Sequence, residues 1–240
     1  MDMSFYTAAV GAQQQQLRLD VHGNNIANVN TDGFRAKKPV FTSLMYDFMA
    51  GTNAQLPRGC GAYMSGSDTS FLPSATEDTG LAQDYAIEGD GFFCLWDPTL
   101  DEYSYTRDGS FTISQYYETD EAGEEEEVWY LSDGLGRFVL SDEGRPIRVE
   151  DRFAAQPVGI FDFVNYNGMR NVGENRFVPV EKNGEVQLGN GRLIHKHLEK
   201  SNADLAYELT KVIEAQRSFS YALKMIQTSD EIETTVNNLR

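Results

Sequence analysis

The sequence predicts an α+β chain in which two terminal helices pair in a coiled-coil-like layer, with an antiparallel all-β domain inserted between them. Three observations carry this expectation. Helix breakers are confined to the middle, since all seven prolines lie between Pro39 and Pro179 and 18 of the 21 glycines between Gly51 and Gly191. Both ends repeat a seam at alternating four- and three-residue steps, the spacing that keeps one helix face against another helix. The middle alternates short apolar runs with Asp-Gly and Asn-Gly pairs, the dipeptides that turn hairpins.

In chain order, the N-terminal seam runs through Phe5, Ala9, Ala12, Gln16, Leu19, Gly23 and Ile26. Gly11 and Gly23 each cost a helix about 1 kcal/mol relative to Ala, and the small residues around them invite close approach by a second helix. The run Asn24, Asn25, Asn28 and Asn30 either frays the helix end or ties a buried subunit contact through its amides, each both donor and acceptor. The helix should stop before Gly33, which is expected to take a left-handed conformation; on that basis Gly33→Asn should be milder than Gly33→Val. Residues 36–80, and 50–80 above all, are rich in Gly, Ser, Thr and Asn and read as an extended arm or linker.

The β domain, 81–197, should contain strands near Tyr85–Ile87, Gly91–Leu95, Ser104–Thr106, Ser110–Ile113, Val128–Leu131, Arg137–Leu140, Val158–Phe161, Arg176–Val180 and Arg192–Ile194. Beyond Gly191 no Gly or Pro occurs, and Leu205, Leu209, Val212, Gln216, Phe219, Leu223 and Ile226 continue the four-three seam. Ser201 and Asp204 resemble a capping box, so the closing helix should start near Asn202 and run roughly 50 Å. The two ends, 1–35 with 198–240, thus make a discontinuous helical assembly domain.

Composition narrows the function. With 37 acidic against 20 basic residues the net charge is −17, a field that repels nucleic acid and anionic lipid head groups. Residues 51–195 concentrate it, with 26 acidic and ten basic side chains. No apolar stretch approaches the length of a spanning helix, and Met1-Asp2 opens no secretory signal pattern, so no membrane insertion and no cleaved signal peptide are expected. Cys60 and Cys94 are too few for a disulfide framework.

Candidate chemistry is sparse. Glu124–Glu127 are adjacent carboxylates that would point to alternate sides of a strand, which suits a solvated hairpin tip better than a calcium loop. His195 and His197 would share a face if their segment were a regular strand, but a third metal ligand is lacking. Asp108 and Asp90 sit in Asp-Gly turns, where a hairpin role outweighs a glycosidase pair. No nucleophile elbow, phosphate loop or dinucleotide fingerprint is present. Neither catalysis nor a metal or cofactor is expected.

Four motifs resemble one family. Gly23-Asn24-Asn25-Ile26-Ala27-Asn28-Val29-Asn30-Thr31-Asp32-Gly33-Phe34 looks like the N-terminal signature of bacterial flagellar rod and hook axial proteins. Leu198–Leu205, Ala215–Phe219 and Ile226–Ile232 resemble that family's closing helix. Ala86–Phe93 and Tyr105–Phe111 match two central motifs. Departures are Gly23 and Ala203, where alanine and valine are more common, and the enlarged Glu124–Glu127 hairpin.

The resemblance implies a non-enzymatic subunit of a helical filament. Its terminal helices would pair in the inner layer, the β domain would lie outside, and the rod so formed would transmit motor torque to the hook. Length favours a rod component over the hook protein. Implied partners are copies of the chain itself, other rod and hook axial proteins, and the flagellar export apparatus, which exports family members without signal cleavage. The expected subunit-interface residues are Phe5, Ala9, Ala12, Gln16, Leu19, Asn24, Asn25, Asn28, Gly33, Leu205, Leu209, Val212, Gln216, Phe219, Leu223 and Ile226. A stalked β-domain adhesin or binding module is the alternative, and an acidic hydrolase a distant third.

Overall fold

The computed structural model describes residues 3–44, 46–49, 56–119 and 125–239. It divides into two compact units: a helical unit, the described residues within 1–27, 37–69 and 203–240, and a β unit, those within 28–36 and 70–202. The α+β class with an antiparallel inserted region is therefore what the chain adopts.

The helical unit holds α1 (Met3–Ala27), β1 (Lys37–Ser43), β2 (Tyr46–Met49), β3 (Leu56–Gly59), β4 (Ala62–Thr69) and α2 (Leu205–Asn238). Strands β1 and β4 form an antiparallel ribbon with a bulge between Val40 and Phe41, and β2 pairs with β3. Gln14 anchors the ribbon to α1 by accepting a hydrogen bond from the Met64 amide at 2.6 Å. The start of α2 differs from expectation. Asp204 is itself the N-cap, its carboxylate accepting the Ala206 and Tyr207 amides at 2.9 and 3.3 Å, so the helix begins at Leu205 without a capping box. Ser201 and Asn202 are held instead in pairings of the β unit.

In the β unit the strands are β5 (Thr76–Asp78), β6 (Tyr85–Glu88), β7 (Phe93–Asp97), β8 (Glu102–Thr106), β9 (Thr112–Thr119), β10 (Glu125–Ser132), β11 (Phe138–Val139), β12 (Phe161–Asp162), β13 (Arg170–Gly173), β14 (Arg176–Val178), β15 (Gln187–Leu188), β16 (Arg192–His195) and β17 (His197–Glu199). Seven of them make one antiparallel sheet in the order β13-β14-β8-β7-β11-β10-β9. The period-two alternation of strand side chains feeds a separate cluster on each face. Phe93, Leu95, Leu131 and Val139 face one core with Tyr85, Ile87, Phe111 and Ile147. Cys94, Tyr105 and Phe177 face the other with Phe92, Leu140 and Phe163. Burial pushes the Cys94 thiol up to about 12, against the opposing effect of a hydrogen bond with Tyr105, which leaves it a small core group without nucleophilic character.

Residues 28–36 are part of this unit. Gly33 has φ +67° and donates its amide to the Glu199 carbonyl at 2.7 Å. Next along, the Asn202 amide bonds the Phe34 carbonyl at 3.3 Å, and the Ala36 amide donates to the Asn202 side chain at 2.6 Å. The left-handed conformation at Gly33 is as expected, but a second constraint joins it. A Cβ on Gly33 would stand 2.4 Å from the Asp108 backbone nitrogen, so the position excludes every side chain, whatever its tolerance for positive φ.

The ranking that made Gly33→Asn milder is therefore corrected. We expect Gly33→Asn and Gly33→Val to lower the unfolding midpoint of the β unit alike, by roughly 5–10 °C for a cost of a few kcal/mol. Thermal denaturation followed by near-UV circular dichroism tests this, and a Gly33→Asn midpoint indistinguishable from the parent would contradict it.

Candidate assembly surface

The two long helices lie alongside one another in opposite directions. Near the end of α1, Arg18 reaches Glu214 at 3.4 Å and His22 Nδ1 lies 2.5 Å from Glu208 Oε2. Phe5, near its start, lines the same small pocket as Ser229, Asp230 and Glu233. Small and polar groups dominate this contact. On α2 the buried positions are Glu208, Ala215 and Ser229, spaced by seven and fourteen residues, and on α1 Ala12, His22 and Asn25 are buried.

Asn25 is fully engaged. Its amide nitrogen donates to Glu208 Oε1 at 3.0 Å and to the Lys37 carbonyl at 2.8 Å, and its oxygen accepts the Lys37 amide at 2.9 Å. One side chain thus joins α1, α2 and β1. Removing either partner would strand a buried polar group at a cost of about 1–3 kcal/mol. At the rim, the hydrogen bond from Lys211, with Arg18 nearby, holds the Glu214 carboxyl below its ordinary range.

Among the residues expected to form interfaces, Ala12 and Asn25 are buried inside the chain and Gly33 is buried in the β unit; Phe5, Ala9, Leu19, Asn28, Val212, Phe219 and Ile226 are half-buried. Gln16, Asn24 and Gln216 are exposed, as are Leu205 at 44%, Leu209 at 47% and Leu223 at 40%. The α2 seam therefore divides. Val212, Phe219 and Ile226 border the line that packs within the unit; Leu205, Leu209, Ile213 and Leu223 are exposed on one flank of that line, and Tyr207, Met225, Ile232 and Val236 on the other. A helix with one polar face ordinarily turns its apolar residues inward; α2 leaves apolar side chains uncovered, those from Leu205 to Leu223 forming a strip beside the buried line. Sequence reasoning missed His22 and Glu208, because charged and titratable residues score as solvent-facing unless a partner is known.

The acidic segment and the histidine pair carry no such surface. Glu127 pairs across from Tyr117 in the β9–β10 hairpin, while Glu124 lies outside the described residues. His195 and His197 fall on different strands because Lys196 between them has φ +64°, which corrects the expectation that they share a face. His195 Nε2 is instead within 2.6 Å of the Ala82 carbonyl.

Comparison with known proteins bears on both ends and on the whole chain. Residues 5–35 match the family described as flagella basal body rod protein, and residues 195–239 match the flagellar basal body rod FlgEFG protein C-terminal family. The flagellar basal-body rod protein FlgG of Bacillus subtilis (strain 168) is 33% identical over 99% of this chain and 98% of its own length. The FlgG of Borreliella burgdorferi is 32% identical over 100% and 99%. The flagellar hook protein FlgE of Helicobacter mustelae is 33% identical over 45% of this chain and 26% of its own.

Two substitutions separate the inward and outward faces of α2. Ala215 is fully buried, so Ala215→Leu should loosen the α1–α2 contact in the isolated chain at a cost of about 1–3 kcal/mol. Leu209→Asp, on the exposed strip, should leave that contact within about 0.5 kcal/mol. Helical circular dichroism against temperature distinguishes them, and a larger effect from Leu209→Asp would reverse the assignment of faces.

Proposed function

This chain belongs to the flagellar basal-body rod protein family, and we propose that it acts by polymerising through its terminal helices into the axial shaft that carries torque from motor to hook. It is a structural subunit of the rod. The family's structural role argues against catalysis, and the adhesin alternative gains no support from any relative.

The observation that carries the mechanism is the uncovered strip on α2. A 34-residue helix whose buried positions are Glu208, Ala215 and Ser229 leaves Leu205, Leu209, Ile213 and Leu223 on one flank for other subunits. Burying such side chains is worth about 1.5–3 kcal/mol each, the order needed to offset association costs when many subunits repeat one contact. Contacts that repeat without closing a ring generate an open helix. In the filament the terminal helices would then pack with coiled-coil-like interdigitation, with Gln16, Asn24 and Gln216 at the same surface.

The partners of this mechanism are copies of the chain and other rod and hook axial proteins, reached by way of the flagellar export apparatus without signal cleavage. No helix among the described residues is long and apolar enough to cross a membrane. For domain use, residues 1–35 with 198–240 would serve assembly, 36–80 would be the arm, and 81–197 would form the bulk of the β domain.

Leu209→Asp with Leu223→Asp should abolish rod growth and swimming while the purified chain keeps its β-unit unfolding midpoint. Each places a charge where an apolar contact is expected, at several kcal/mol if buried. Basal bodies of normal length by electron microscopy in that double variant would rule out the strip as the polymerising surface.

A further inference from the structure

The β unit contains a buried charge cluster that brings together both of its chain ends. Glu199, at the end of β17, has a fully buried side chain, as does Arg35; Arg107 is 4% exposed. Glu199 Oε1 accepts from Arg35 at 2.7 Å and from the Ser74 amide at 2.9 Å, and Oε2 accepts from Arg107 at 3.2 Å. The arginines are held from behind by carbonyls. Arg35 donates to Leu72 at 3.2 Å, and Arg107 donates to Gly89 at 2.7 Å and lies over the Phe92 ring at 5.5 Å.

Two features set this apart from an ordinary buried ion pair. First, the partners come from the far ends of the unit: Arg35 and Glu199 are 164 residues apart, and Ser74 and Glu199 are 125 apart. Asn202 doubles the closure, since its side chain donates to the Ser70 and Leu72 carbonyls at 2.7 and 3.0 Å while accepting the Ala36 amide. Second, one carboxylate serves two guanidinium groups. Desolvation works against the charge on Arg107 while Glu199 favours it and Arg35 opposes it, so Glu199 is what allows two cations to share a buried site.

We propose that Glu199 is an electrostatic latch that makes closure of the β unit conditional on its C-terminal segment. A chain is made from its N-terminus, so residues 28–36 and 70–74, which can bond each other through Ser70 to Ala36 and Arg35 to Leu72, leave Arg35 facing no carboxylate until residues 197–202 arrive. The sheet core assembles around Arg107 without them; the outer segments lock only when Glu199 enters. This concerns folding of the β unit and holds whether or not the helices polymerise.

The charge imbalance supplies a test that a plain hydrogen-bonding role would fail. In the full-length chain, Glu199→Gln keeps the shape but leaves two adjacent buried cations. We expect it to lower the β-unit unfolding midpoint by roughly 10 °C or more, and to expose residues 28–36 and 70–80 to protease before the seven-stranded sheet. Arg35→Met alone leaves a neutral Glu199–Arg107 pair and should cost less. Adding Arg35→Met to Glu199→Gln should raise the midpoint above that of Glu199→Gln, or restore a cooperative transition if the single variant does not fold. A double variant no more stable than Glu199→Gln, with Arg35→Met itself folded, would overturn the latch, as would unchanged protection of both segments in Glu199→Gln.

Discussion

A carboxylate that has left water must find positive charge or donors at once, and the β unit depends on how Glu199 does so. Its oxygens take Arg35, Arg107 and the Ser74 amide, and its carbonyl takes the Gly33 amide. Those four bonds draw four separated segments to one point. They also explain why Gly33 can only be glycine, since the segment that offers its amide to Glu199 runs against the Asp108 backbone. Replacing the whole cluster by apolar groups would be neutral or better for stability in many proteins. What the ionic version supplies is selectivity, because a wrong register leaves an unpaired buried charge.

The helical unit follows a different logic. Its interior contact is built from alanines, a serine and the His22–Glu208–Asn25 group, all of which depend on close fit and hydrogen bonding more than on apolar area. Several large apolar side chains of α2, Leu205, Leu209, Ile213 and Leu223 among them, are exposed instead. A pair of helices assembled this way gains little from its own burial, and helices in general owe most of their stability to tertiary packing of an apolar face. Further stabilisation of α1 and α2 would come from neighbouring subunits in the proposed assembly.

Much of this was legible in the sequence, and the rest was hidden for identifiable reasons. The two helices, most of the strands from Tyr85 to Ile194 and the family all follow from periodicity, breakers and motif residues. Counting apolar residues put Leu205, Leu209 and Leu223 on the seam, whereas burial within the chain falls on Glu208, Ala215 and Ser229. Periodicity measures which face is apolar, and cannot say whether that face meets the same chain or another. Short strands such as β5, β13 and β17 escaped because three or four residues carry no clear period. Arg35 and Glu199 escaped because a charged residue between polar neighbours reads as solvated, and only a partner some 160 residues away reverses that. Asn25 belonged to an asparagine run readable either as a frayed helix end or as a subunit tie; its amide bonds Glu208 and Lys37 of its own chain.

The β unit closes within one chain, residues 28–36 included, whereas the helical unit would be completed by its neighbours in the proposed assembly. Native-state hydrogen exchange on the isolated full-length chain addresses both halves at once. The Gly33 amide should exchange as slowly as core sheet amides such as Leu131 and Val149, which donate to Ile147 and Trp129, through the same cooperative opening. Amides in the middle of α2 should exchange at least about 100-fold faster, because their opening does not require the sheet to unfold. A Gly33 amide that exchanges with α2, or an α2 protected as strongly as the sheet, would contradict this division of the chain.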